Sequence, residues 1–151
     1  MFSLAGILGG ESGQRSPAWS PCPQDVYTAD NAMIRSLQPC PSSPNCVSTQ
    51  ASGQAHGILP YRYQKTLAEA KETLKTMVAN LPRVKLVEED EAYLHYEFTS
   101  LLLRFVDDVE FVFDDAAKTI HFRSASRTGY SDLGVNRRRM EEIRVVVEGR
   151  L

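Results

Sequence analysis

The pattern of hydrophobic positions predicts two amphipathic helices, one early and one late in the chain. Between residues 66 and 81, apolar side chains recur at intervals of three and four, with Lys and Glu between them. This spacing predicts a helix with Thr66 as its N-cap, ended by Pro82. Apolar side chains at 140, 143, 146 and 147 predict a second helix over about 135–149.

Between the predicted helices the period changes from 3.6 to two. Apolar and polar residues alternate over 83–88, 93–99, 103–114 and 118–126, and Asp114 to Lys118 has the composition of a hairpin turn. Four strands at such short spacing predict an antiparallel meander. We therefore expect an α+β fold: an antiparallel four-stranded meander sheet with two amphipathic helices packed on one face.

Length and charge limit the class of protein. A chain of 151 residues with 42% hydrophobic residues suits one globular domain, which we place at 37–151. The net charge of −2 argues against a dedicated nucleic-acid binder. No run approaches the roughly 20 apolar residues that span a bilayer, so no transmembrane segment is expected, while peripheral membrane association stays open.

Residues 1–36 are predicted to be a flexible N-terminal tail. Residues 1–10 hold a few apolar side chains and no Lys or Arg, so a weakly amphipathic tail is favoured over a signal remnant or a docking segment. Residues 9–27 are rich in Gly, Ser and Pro, and few of them can be buried. Trp19, the only Trp, is the residue to test there for a partner contact.

Residues 37–51, which we call the Pro/Cys loop, contain prolines at 39, 41 and 44. Proline is excluded from helix interiors and central strands, so Cys40 and Cys46 are predicted to lie on a rigid irregular loop. Their separation of six residues permits a disulfide, with free thiols as the alternative. Cys22 would have no partner if Cys40 and Cys46 were bridged. Three cysteines without paired spacing, with His56 as a lone fourth ligand, do not make a metal site, so neither metal nor cofactor is expected. A disulfide would indicate an oxidising compartment; the localisation is otherwise unknown.

The third predicted strand carries a carboxylate in an apolar row. Asp107 shares its face with Phe105 and Val109, whereas Asp108 lies on the opposite face. A carboxylate on a buried face needs a cationic or hydrogen-bonding partner. The nearest cations in sequence are Arg123, Arg127 and Arg137, in a segment that we call the Arg/Ser/Gly loop, residues 123–137.

These residues predict one polar network, buried or half-buried, made of Asp107, Asp108, Arg123, Arg127, Tyr130, Asp132, Asn136 and Arg137. It would cap the second helix and fix the loop. A second interpretation is that arginines in excess over carboxylates at a helix N-terminus form an anion site, to which Ser124 and Ser126 would also contribute.

Catalysis has the least support. Ser124 or Ser126 as a nucleophile would need a base, and His95 and His121 lie on strands with no assignable third group to orient them. Asp107 and Asp108 point to opposite faces of one strand and cannot act as a facing pair. No catalytic or nucleotide-binding motif is present.

Three motifs carry a resemblance to a known family: CPSSPNCVS at 40–48, FVDDVEF at 105–111 and RSASRTGYSDLGVNR at 123–137. Together they resemble the bacterial and plastid family catalogued as domain of unknown function 1499, over about residues 37–150. The resemblance implies that the three motifs belong to one domain, and it implies no activity. Similar members occur in cyanobacteria and photosynthetic eukaryotes, from which a photosynthesis-related role is a hypothesis.

Three function classes follow from the sequence. The first is a non-catalytic binding or assembly module that presents the Pro/Cys loop and the Arg/Ser/Gly loop to a protein partner. The second is a receptor for a small anionic ligand, a carboxylate or a phosphate, at the arginine-lined site. The third is a hydrolase-like enzyme.

Overall fold

The computed structural model describes residues 35–151, so the predicted tail, with Trp19 and Cys22, lies outside the described residues except for its last two positions. Eight elements follow one another along the chain: β1 (Cys46–Ser48), β2 (Tyr61–Arg62), α1 (Leu67–Ala79), β3 (Val84–Asp90), β4 (Tyr93–Thr99), β5 (Val106–Asp114), β6 (Thr119–Ser126) and α2 (Val135–Val147). The fold is α+β, as the pattern predicts.

The sheet has six strands rather than the four predicted. Strands β3 to β6 form the antiparallel meander, and β1 and β2 both pair antiparallel with the free edge of β6. These additional strands have three and two residues, too few for an alternating pattern to be recognised. Cys46 therefore begins an edge strand, where the prolines just before it are tolerated, and the prediction of an irregular loop at this residue was wrong.

The third predicted strand begins later than the pattern indicates. Strand β5 starts at Val106, and residues 103–105 belong to the loop that joins it to β4. Phe105 is consequently half exposed instead of lying in the apolar row. The hydrophobic residues at 101–103 resemble the start of a strand in sequence, but they lie in a solvent-exposed loop.

The main core lies between one face of the sheet and both helices. Thr66 caps α1 as predicted, in a capping box with Glu69. Each helix buries one stripe of side chains against inward-facing residues of β4, β5 and β6. The stripes are Ala70, Leu74 and Val78 on α1 and Met140, Ile143 and Val147 on α2.

The opposite face of the sheet, which we call the open face, is crossed by residues 35–40. Arg35 stacks on the ring of Tyr93 at 3.9 Å and pairs with Glu88 at 2.6 Å. Leu37 packs in a small cluster with Tyr93 and Val112. Cys40 and Cys46 form a disulfide, with Cα atoms 5.7 Å apart, which joins the crossing segment to β1.

Candidate functional site

Asp107 is buried on the helix side of the sheet, as its place in an apolar row predicts. The side chain pairs with Arg139 of α2, which lies mostly under the surface. Arg139 also donates to Asn136 Oδ1 at 2.9 Å and to Ser124 Oγ at 3.2 Å. The buried carboxylate is thus neutralised by a cation that has further partners of its own.

Asn136 is the centre of this buried network. Its side chain is 0% exposed, and its Nδ2 lies 2.9 Å from Ser126 Oγ, 2.8 Å from Asp132 Oδ2 and 3.1 Å from the carbonyl oxygen of Asn45. Its Oδ1 accepts from Ser124 at 2.5 Å. One amide thereby links α2, β6 and the Pro/Cys loop at Asn45.

Asp132 holds the start of α2. Its carboxylate accepts from the backbone N–H groups of Gly134 at 3.0 Å and Asn136 at 2.8 Å. Burial alone would raise the pKa of Asp132, but the hydrogen bonds from Asn136 and Gly134 outweigh it and lower the pKa below its ordinary value. Asp132 thus binds the backbone at the start of α2 from two residues before Gly134, which occupies the N-cap position.

A second cluster lies on the open face. Arg127 donates through Nε and Nη2 to both oxygens of Asp108, each at 2.8 Å, and its Nη2 reaches Glu97 at 2.6 Å. His95 Nε2 lies 2.8 Å from Asp108. Partial burial would raise the pKa of Asp108, yet hydrogen bonds from Arg127 and then His95 lower it. The bonds from Arg127 to Asp108 and Glu97 raise the pKa of Arg127. Next to this cluster, Arg123 pairs with Glu110 at 3.3 Å.

The prediction of one network is therefore wrong, because strand alternation divides its members. Asp107, Asp132 and Asn136 lie on the helix side, where Ser124 and Ser126 of the predicted anion site join them. On the open face, Asp108 pairs with Arg127, and Arg123 pairs with Glu110. Two further members join neither cluster: Tyr130 is exposed, and Arg137 donates to the carbonyl oxygens of Gln54, Ala55 and Gly57.

Sequence reasoning missed Arg139, the partner of Asp107, and proposed Arg123, Arg127 and Arg137 instead. A signal was present, since Arg139 follows Asn136 by three residues and precedes Ile143 by four on the stripe of α2 that faces the sheet. The partner of Asp107 was predicted wrongly because distance along the sequence was used in place of the face of the helix on which each arginine lies.

The geometry removes much of the basis for an anion site at these arginines. Arg127 is held by two carboxylates, Arg123 by one, and Arg137 by three carbonyl oxygens. A bound anion at Arg127 would have to compete with Asp108 and Glu97 for the same guanidinium donors.

The serine-based hydrolase interpretation also lacks its geometry. Ser124 is fully buried and donates to Asn136. His95 and His121 lie on the other face of the sheet, where His95 contacts Asp108 and His121 Nδ1 lies 3.2 Å from Thr49 Oγ1. Burial, the largest influence, lowers the pKa of His121.

A cleft of about 390 Å³ lies beside the disulfide. One wall is formed by the crossing segment and the other by residues that follow β1. The lining residues are Leu37, Gln38, Pro39, Cys40, Ser48, Gln50, Ala51, Ser52 and His56. Within this lining there is no Lys, Arg, Asp or Glu, so the cleft combines apolar contacts with neutral hydrogen-bonding groups.

The far wall of the cleft is fixed by the backbone and by Arg137. His56 Nδ1 lies 2.9 Å from the carbonyl oxygen of Cys46, and the Ser48 N–H donates to the His56 carbonyl at 2.8 Å. Gly57 has no room for a side chain, since a Cβ there would lie 2.6 Å from the Gly53 carbonyl oxygen. The Arg/Ser/Gly loop therefore supports the cleft through Arg137 instead of lining it.

The described residues contain neither a cluster of metal ligands nor a helix that could cross a membrane. Across 35–151, no group of three or more His, Cys, Asp or Glu side chains is arranged to hold a metal ion. Neither α1 nor α2 is long and apolar enough to cross a bilayer.

Comparison with known proteins gave one match. The model of a family described as "Protein of unknown function (DUF1499)" matches residues 36–146. No curated protein matches the chain, and no solved structure matches it.

Proposed function

Because the chain belongs to the DUF1499 family, whose description names no activity, we propose from the geometry that this protein is a non-catalytic binding module for a protein partner. The observation that carries the proposal is the cleft beside the disulfide-linked Pro/Cys loop. We expect it to bind a short, uncharged segment of the partner.

The lining of the cleft supports this class of ligand. Leu37, Pro39 and Ala51 offer apolar contacts, and Gln50 and His56 offer directional hydrogen bonds. Peptide segments carry both kinds of group along an extended backbone. The absence of charged residues from this lining favours a neutral segment over a phosphate or a carboxylate.

The rigidity of the walls supports binding as well. The disulfide fixes Cys40, the contacts of Leu37 with the open face fix the start of the segment, and Arg137 fixes the opposite wall. Preformed walls reduce the conformational entropy lost when a partner binds.

Native mass spectrometry tests the proposal. Tagged wild-type protein is expressed in the source organism and isolated under non-reducing conditions, next to Ala51→Trp, which fills the cleft, and a Gln50→Ala/His56→Ala variant. We expect an added protein subunit on the wild type and its loss from both variants. The matched control is Leu59→Ser, an exposed apolar residue outside the cleft lining, which should keep the subunit.

A wild-type protein that carries no subunit would contradict the proposal, as would a subunit retained by both cleft variants. A bound small anion in place of a protein would favour the receptor hypothesis. A thermal-shift series with phosphate and carboxylates would then measure it, because a ligand of the native state raises apparent stability. The photosynthesis-related role stays a hypothesis, and the identity of the subunit would bear on it.

A further inference from the structure

The loop between β4 and β5 places three consecutive leucines in water. Residues 100–105, which we call the leucine hairpin, are closed by a hydrogen bond from the Ser100 N–H to the Phe105 carbonyl at 2.8 Å. Leu101, Leu102 and Leu103 are 68%, 88% and 69% exposed. A run of three exposed apolar residues has no role in the fold itself, and it indicates a surface that is covered in use.

A second loop brings more apolar side chains to the same end of the sheet. Thr99 pairs with Val106 and Asp107 pairs with Ser126, so the leucine hairpin and the loop after β6 leave the sheet together. In that second loop Tyr130 is 76% exposed and Leu133 is 88% exposed. We call the two loops together the loop end.

Three exposed arginines lie in the loop end or next to it, at the same end of the sheet. Arg104 lies on the leucine hairpin, Arg83 directly precedes β3, and Arg138 lies in the first turn of α2; all three are exposed. Within residues 35–151 none of the three forms an ion pair. Among the carboxylates of this end, Glu97 and Asp108 share Arg127, Asp107 pairs with Arg139, and Asp132 is held by backbone hydrogen bonds without a cation, so five arginines face four carboxylates and the excess is one positive charge.

The opposite end of the sheet gathers carboxylates, several of which pair with cations: Glu88 with Arg35, Glu89 with Lys71 and Lys75, and Asp115 with Lys118. The turn between β3 and β4 follows the run Glu88-Glu89-Asp90 and contains Glu91, and the turn after β5 contains Asp115. The chain has a net charge of −2, yet at the loop end exposed arginines accompany exposed apolar side chains. Exposed arginines and leucines at one end would be complemented by a surface with anionic groups outside and an apolar interior beneath them.

We propose that the loop end docks on an anionic lipid bilayer. The leucines of the hairpin and Leu133 enter the boundary between headgroups and acyl chains, Tyr130 lies at headgroup level, and Arg83, Arg104 and Arg138 contact lipid phosphates. A lipid layer fits better than a protein, because side chains on the tips of two loops require a matching concave face in a protein but none in a fluid bilayer. This proposal does not depend on the cleft.

Vesicle co-sedimentation of the full chain tests the proposal. The vesicles are phosphatidylcholine alone, or equal parts of phosphatidylcholine and phosphatidylglycerol. We expect sedimentation with the anionic vesicles, and its loss in a Leu101→Ser/Leu102→Ser/Leu103→Ser variant. Leu59→Ser, which alters a residue 76% exposed and outside both loops, should bind like the wild type.

The arginines are tested separately. Arg104→Gln/Arg138→Gln should weaken binding to the anionic vesicles on the order of tenfold and should reduce its dependence on salt. Thermal unfolding of each variant checks that the fold is intact, which is expected because the altered side chains are exposed.

Three results would overturn the proposal. The wild type could fail to sediment with anionic vesicles. It could sediment equally well without the leucines, which would move the contact to another part of the chain. Finally, the leucines could mediate a concentration-dependent dimer in size-exclusion chromatography while the protein binds no lipid. A second copy of the chain would then be what covers the leucine hairpin.

Discussion

At the scale of single residues, the Asp107–Arg139 ion pair places two charges in the described core, and burying them carries a desolvation cost. Asp107 is 4% exposed and Arg139 is largely buried, so each charge depends on the other to offset its desolvation. Asn136 adds to this dependence because it also accepts from Arg139. The two charges should therefore act as one unit.

We expect Asp107→Ala to lower the free energy of unfolding by about 3–5 kcal/mol, because it leaves Arg139 buried without a counter-charge. Urea unfolding followed by circular dichroism measures the change. The double variant Asp107→Leu/Arg139→Met removes both charges and should recover much of the loss.

The control for the residue-scale prediction is Glu88→Ala, which breaks the exposed pair with Arg35 and should cost at most about 1 kcal/mol. A loss for Asp107→Ala no larger than that of the control would mean that the Asp107 site admits water. In that case the Asp107–Arg139 pair would not be what holds α2 on the sheet.

At the scale of elements, the disulfide and strand β1 define the least regular part of the fold. Strand β1 has three residues, and the segment before it contains three prolines, so local propensity alone gives it little stability. Pairing with β6 and the Cys40–Cys46 disulfide hold it in place. The cleft exists only while both walls are held.

Reduction of the disulfide should lower the free energy of unfolding by about 2 kcal/mol, the chain-entropy value for a closed loop this short. Urea unfolding of the wild type with and without a thiol reductant measures the difference. Cys40→Ala/Cys46→Ala should match the reduced wild type and should not respond to the reductant. Equal stability of the oxidised and reduced wild type would show that the strand pairing alone fixes the loop.

At the scale of the whole molecule, the described residues contain one continuous sheet with both helices packed on one of its faces. Two hydrophobic clusters, one on each face of the sheet, are both formed between Leu37 and Leu151. Exposed arginines and leucines share the loop end, whereas carboxylates gather at the opposite end, where several pair with Lys or Arg, and the net charge conceals this division. Such a division affects how the molecule approaches a surface, and it adds nothing to the fold.

A truncated protein made of residues 35–151 should fold cooperatively. It should unfold at nearly the same urea concentration as the full chain, because it keeps both hydrophobic clusters. Circular dichroism and fluorescence should report coincident transitions. A broad transition, or a loss of more than about 2 kcal/mol, would show that residues 1–34 contribute to the folded core. This measurement tests the predicted boundary between tail and domain.

The parts of the fold predicted correctly from sequence are those with a repeated pattern. Two helices, the four-stranded meander, the cap at Thr66 and the burial of Asp107 each follow from a period of 3.6 or two, or from a local capping motif. Strands β1 and β2 were missed because two or three residues cannot show a period. The start of β5 was misplaced because apolar loop residues imitate a strand.

The sequence by itself determined the periodic elements and the residues that each strand turns toward the helices, because side-chain direction follows directly from backbone period. Only the tertiary structure decided which charges meet. Asp107 finds Arg139 across the gap between sheet and helix, Arg127 finds Asp108 and Glu97 on the open face, and Arg137 supports the cleft. Partner choice depends on the register and packing of elements distant in sequence, and local periodicity carries no information about either.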